Sequence, residues 1–151
     1  MNRLNPWSAA PAQMKMLVDY SMAISEGFDT ALKHLVKIRA SQINGCAMCL
    51  HMHTQEARKD GEREESIYLL DAWREAEFYT PRERAALAWT EALSRLGHDG
   101  VSDEAYAAVT AEFSEEEVVH LTMLVNAINA FNRIGVGFQR APLRAPPAKA
   151  A

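Results

Sequence analysis

The stretch "RASQINGCAMCLHMHTQEARKDG", Arg39 to Gly61, holds both cysteines of the chain and two of its five histidines. Asn44-Gly45 stands just ahead of the first cysteine. Both residue types tolerate positive φ, so a helix arriving from the N-terminal side breaks there and a new one starts at about Cys46. Cys46, Cys49 and His53 then share one face of that new helix, at about 3.6 residues per turn. Cys46 falls at the helix start, where unpaired N–H groups and the positive end of the dipole stabilise a thiolate. A cysteine one turn away can attack a sulfenic acid and close a disulfide. A histidine one turn further can carry a proton near neutral pH.

The same residues admit two other readings. Free cysteine is among the most buried residue types, so the pair could be plain core. Cys46 and Cys49 with His51 and His53 also offer soft metal ligands. A structural zinc takes four ligands, however, and His51 and His53 point to different faces of a helix. His34, His98 and His120 have no ligand-like spacing.

Outward from this stretch the apolar spacing is helical almost throughout, and no strand pattern or hairpin signal interrupts it. A helix is expected from about Pro11 to Glu26, with Met14, Leu17, Val18, Met22 and Ile24 inward and Gly27 as its stop. The next starts at Asp29 or Thr30 and runs to about Ile43. After the cysteine helix, Asp60-Gly61 is a stop, and a fourth helix is expected over Glu64 to Glu75. Thr80-Pro81-Arg82-Glu83 reads as a capping box with proline at the first helical position. It opens a helix closed by Gly97. Ser102 opens a short helix to Phe113. Ser114-Glu115-Glu116-Glu117 is a second capping box, ahead of the long apolar run "VVHLTMLVNAINAFNRIGVGF". The fold class expected is all-α, with six or seven helices. Residues 1–140 read as a single domain and 141–151 as a disordered Pro/Ala-rich tail. Helix 118–138 is apolar over more than one face, which points to a homo-oligomer; a central helix in a monomeric bundle would carry the same pattern.

Bulk properties narrow the function classes. The chain has 151 residues, 48% of them apolar and 24% charged, with net charge −4. No basic run supports nucleic-acid binding. No segment approaches the roughly 20 apolar residues of a membrane span, and the N-terminus has no signal-peptide core. The chain reads as cytoplasmic, where a close cysteine pair is more often catalytic, redox-sensing or metal-binding than structural.

The run "R-x-S-Q-I-N-G-C-A-x-C-x-x-x-H" within "LVKIRASQINGCAMCLHMHTQEARKDG", residues 35–61, resembles the core signature of the alkylhydroperoxidase D-like (AhpD-like) branch of the carboxymuconolactone decarboxylase superfamily. "EFYTPRERAALAWTEAL", 77–93, is similar to the segment after that signature in short members. The resemblance implies an AhpD-like helical bundle assembled as a dimer, trimer or hexamer. It implies a cysteine-based alkyl hydroperoxide reductase, with Cys49 as peroxidatic cysteine, Cys46 as resolving cysteine and His53 as proton relay. Such an enzyme needs no bound cofactor and is restored by a thioredoxin-like or dihydrolipoyl reductant. The family's glutamate twelve residues before the first cysteine is His34 here, a candidate for passing a proton; the nearest alternative carboxylates in sequence are Asp29 and Glu56. Met48 stands where the family often has histidine. Trp73, Trp89, Phe78 and Phe131 are candidates for lining an apolar access path. The alternatives on this scaffold are a thiol–disulfide oxidoreductase and a redox-sensing or metal-binding oligomer.

Overall fold

The computed structural model describes residues 3–142. Most of the expected tail, 143–151, lies outside the described residues. Eight α-helices and one 3₁₀ turn form this part of the chain, and among the described residues there is no strand. They are α1 (Pro6–Ala9), α2 (Pro11–Ser25), α3 (Thr30–Asn44), α4 (Ala47–Lys59), α5 (Glu64–Tyr68), the 3₁₀ turn Leu70–Ala72, α6 (Pro81–Ser94), α7 (Asp103–Glu112) and α8 (Glu115–Gly137). The all-α expectation holds; the short α1, begun by Pro6 and capped by Asn5, is one element beyond it.

The helix starts reflect local chemistry. The Asp29 carboxylate accepts from the Leu32 N–H at 2.8 Å and opens α3. Thr80 with Glu83, and Ser114 with Glu117, form reciprocal capping boxes at α6 and α8. Gly45 ends α3 at φ 66°, ψ 32°, the left-handed conformation a side chain would resist.

α3 is the hub and packs against α4, α6 and α8. Its apolar residues leave in two directions. Leu32 and Val36 join Trp89, Phe113, Leu121 and Leu124 in one core. Leu35 and Ile38 join Ile67, Leu70, Trp73 and Leu87 in another. Each such side chain, fully buried, contributes about 1.5–3 kcal/mol of transfer free energy. Beside the second core a buried carboxylate, Glu91, accepts from Arg39 Nε at 2.9 Å and from Trp73 Nε1 at 2.8 Å. It also pairs with Arg74 at 2.7 Å. Burial pushes the Glu91 carboxyl up, but the donors on Trp73, Arg74 and Arg39 outweigh burial and hold it below the ordinary value.

Two expectations are corrected. The fourth helix does not reach Glu75: it stops at Tyr68, and the 3₁₀ turn comes next. The segment after the turn is held by α6 and not by its own helical ladder: the Arg84 guanidinium donates to the carbonyls of Trp73, Ala76 and Arg74 at 3.0, 3.0 and 2.8 Å. In α2, Met14 alone is fully buried; Leu17, Val18 and Ile24 are half-buried and Met22 is exposed. α2 packs along α8, and Val18 and Met22 border a cavity instead of core. No helix among the described residues is long and apolar enough to cross a membrane.

Candidate active site

The turn between α3 and α4 builds the site. Gly45 reverses the chain, and the Cys46 N–H donates to the Ser41 carbonyl at 3.0 Å. Cys46 becomes the N-cap of α4, its Sγ accepting from the Cys49 N–H at 3.3 Å. Cys46 and Cys49 are disulfide-bonded, with Cα atoms 5.3 Å apart. Both are buried, and they pack with Ala40, Ile128 and Met48.

Side-chain amides anchor the turn. Asn44 Nδ2 lies 2.8 Å from Ala40 O, 2.8 Å from Asn129 Oδ1 and 3.0 Å from Asn132 Oδ1. Asn132 Nδ2 donates to Ser41 Oγ at 3.0 Å, and Ser41 Oγ donates to Lys37 O at 2.7 Å. Asn129 and Asn132, which punctuate the apolar run of α8, are thus buried partners of the cysteine turn, satisfied as buried amides must be. α8 also approaches the sulfurs through Gly135. A Cβ there would meet Cys46 Sγ at 2.7 Å and Cys49 Sγ at 3.7 Å.

Cys49 opens on a cavity of about 520 Å³. His53, on the next turn of α4, lines it, and so do Glu56 and Lys37. His53 Nδ1 is 2.8 Å from Glu56 Oε2. The hydrogen bond from His53 comes first among the causes that hold the Glu56 carboxyl below its ordinary value; burial opposes it, and the charges of His53, Lys37 and His34 add to it. An ionised Glu56 accepts, so Nδ1 carries the proton and Nε2 is left for proton exchange. Burial lowers the Lys37 ammonium pKa, with Lys33 adding and Glu56 opposing. The remaining wall is mostly apolar, with Trp7, Met48, Ile128 and Phe131 prominent.

The structure brings Cys46, Cys49 and His53 together, as their spacing requires. It places His34 elsewhere. His34 is buried, its Nε2 2.8 Å from Asp60 Oδ2 at the C-cap of α4, and it does not line the cavity. Its Nδ1 has no hydrogen-bond partner among the described residues. Asp29, the other carboxylate near in sequence, is spent on the α3 cap. Glu56 is the carboxylate that reaches His53, and its position three residues on along α4 is the sequence signal for it. Lys37, Trp7 and Gly135 carried no such signal, since tertiary packing alone brings them here. Of the four aromatics considered for the access path, Phe131 lines the cavity; Trp73 and Trp89 are core, and Phe78 stacks beside Tyr79. His51 is exposed, and among the described residues no group of three or more His, Cys, Asp or Glu side chains converges on a metal position.

Comparison with known proteins places this site in a family. The carboxymuconolactone decarboxylase family matches residues 11–92. The uncharacterized protein YdfG of Bacillus subtilis is 41% identical over 135 residues, covering 89% of this chain and 92% of that protein. The chain belongs to the carboxymuconolactone decarboxylase family. Within that family's fold, a solved Agrobacterium tumefaciens protein of unknown function, described as a candidate AhpD antioxidant defence protein, superposes with a TM-score of 0.90. It is 40% identical and covers 95% of this chain and 100% of its own. The debrominase Bmp8 shares the fold at a TM-score of 0.79 with 19% identity, over 91% of this chain and 74% of its own. Members of the carboxymuconolactone decarboxylase family are enzymes, and the AhpD-like helical fold is the one seen here.

Proposed function

We propose that this chain is a cysteine-based hydroperoxide reductase. The observation that carries the reading is the Cys46–Cys49 pair at the start of α4, opening through Cys49 on an apolar cavity where Glu56 holds His53. In the dithiol form, His53 Nε2 takes the Cys49 proton. The Cys49 thiolate attacks the terminal oxygen of R–O–OH; an S–O bond forms, the O–O bond breaks, and the alkoxide leaves as R–OH with the proton returned by His53. Cys49 is then a sulfenic acid. The Cys46 sulfur attacks it, forming the S–S bond and releasing water. An external dithiol, thioredoxin-like or dihydrolipoyl, takes on the disulfide by exchange and restores both thiols. The chain needs no bound cofactor for this cycle, works as a homo-oligomer in the cytoplasm, and uses neither nucleic acid nor membrane. The closed disulfide also favours a second reading, a thiol–disulfide oxidoreductase with protein or small disulfides as substrates.

A thiol count by alkylation and intact mass tests the proposal. The pre-reduced protein should lose two thiols on one equivalent of cumene hydroperoxide, and Cys46→Ser should gain one oxygen atom at Cys49. If both thiols survive the peroxide, but a disulfide substrate consumes them, the second reading replaces the first.

A further inference from the structure

The cavity beside Cys49 has a charge the peroxide chemistry does not use. Among the described residues its cations are Lys37 on α3 and Arg140 beyond α8, and its one anion, Glu56, is hydrogen-bonded to His53. Lys37 Nζ makes a single hydrogen bond among the described residues, to Ser25 Oγ at 3.1 Å, and no ion pair within 4.0 Å. An ammonium has three N–H donors, so two remain without a protein acceptor on the wall of a cavity. A carboxylate entering the cavity would give this ammonium a charge-assisted hydrogen bond, about twice as strong as a neutral one. Around it stand Met48, Ile128, Phe131 and Ile134, a surface for an uncharged body. The volume, about 520 Å³, is that of a small-molecule site.

We infer that the cavity takes an amphipathic organic acid, its carboxylate on Lys37 and its apolar body along Met48, Ile128 and Phe131, with the reacting group toward Cys49. Lys37 is then a specificity-determining residue. The inference deepens the peroxide-reducing reading, which supplies only what Cys49 does to the bound molecule: the substrate is a hydroperoxide of an apolar carboxylic acid.

Calorimetric titration of the full chain with phenylbutyrate and phenylbutanol tests the preference without turnover. The carboxylate should bind at least about tenfold more tightly than the alcohol at neutral pH. Lys37→Met should erase the difference while leaving the alcohol's affinity unchanged, and Lys37→Arg should keep most of it. Independently of any variant's folding, phenylbutyrate should protect Lys37 of the wild type from acetylation, read by peptide mass, and phenylbutanol should not. Equal affinities, a preference that survives Lys37→Met, or no protection of Lys37 would each overturn the inference. A chain that binds the acid but reduces no hydroperoxide would overturn the reaction, and with it the hydroperoxide, and leave the carboxylate site on Lys37 standing. Equal kcat/KM for a hydroperoxy acid and its methyl ester would do the reverse.

Discussion

Substituting Gly135 by alanine tests how closely α8 must approach the cysteine pair. The added Cβ would stand 2.7 Å from Cys46 Sγ, about 1 Å inside the optimal separation of two such atoms. Neither side yields easily, because Cys46 is pinned through its own backbone to Ser41 and α8 through Asn132 to the same residue. Overpacking of this kind costs about 1–3 kcal/mol. Replacing glycine by alanine inside a helix returns about 1 kcal/mol. The net is a loss of about 1 kcal/mol, or about 4 °C in melting temperature for a domain of this size. Gly137, two residues on in the same helix, is the control, since a Cβ there meets nothing within 4 Å. Gly137→Ala should leave the melting temperature unchanged or raise it. Thermal unfolding monitored by circular dichroism reads both variants, and peroxide turnover should fall in Gly135→Ala alone. A Gly135→Ala protein that melts higher than wild type, with full turnover, would falsify the close approach.

The same geometry sets three further outcomes. Glu56→Gln removes the carboxylate that orients His53 and should lower the peroxide-dependent rate about tenfold or more, read as oxidation of pre-reduced protein in a stopped-flow experiment. His34→Ala should leave that rate and its pH profile nearly unchanged while costing about 1–3 kcal/mol in denaturant unfolding, because His34 packs against Asp60 and not against the cavity. Glu91→Ala leaves Arg39 with only Asp71 and Gln42 and takes the acceptor from Trp73 Nε1, and should cost about 1–3 kcal/mol. Because the native Glu91 carboxyl titrates below its unfolded counterpart, its contribution is complete above the ordinary value of 4.5 and disappears as pH falls through the native value; the variant's stability should therefore decline less than wild type's between neutral and acid pH in urea titrations.

Local chemistry made much of the fold legible. Capping boxes at Thr80 and Ser114, the Asn44-Gly45 break and the helical spacing place the starts of α3, α4, α6 and α8 to within a residue or so, while α6 ends at Ser94, short of the expected stop at Gly97. What local chemistry could not show was competition from distant groups. Arg84 ties the carbonyls of Trp73, Arg74 and Ala76 to α6, and nothing near residues 70–76 announces a guanidinium from the next helix. α2 has an amphipathic look, yet its partner surface is a cavity wall, so Met22 is exposed. In the site, the residues on one helix face were readable from spacing: Cys46, Cys49 and His53. His34 drew attention through family pattern alone, and the side chain almost one turn further along α3, Lys37, is the one that faces the cavity. The two stand on adjacent turns of α3, about 60° apart around its axis, yet His34 meets Asp60 at the end of α4 while Lys37 meets Ser25 and the cavity.

The amides of Asn44, Asn129 and Asn132 have a consequence for durability. The groups that carry the proposed chemistry change state during use: His53 exchanges a proton, and the two cysteines are oxidised and reduced. A carboxamide does neither. Its hydrogen bonds are the same at any pH the protein meets and on either side of the redox cycle. The frame that sets Cys46 against α8 is thus chemically blind to the reaction it holds in register. The thioethers of Met48 and Met52 in the cavity wall have no such immunity. Wear from repeated exposure to oxidant should accumulate in the wall that receives the substrate, while the hinge that carries the sulfurs keeps its shape.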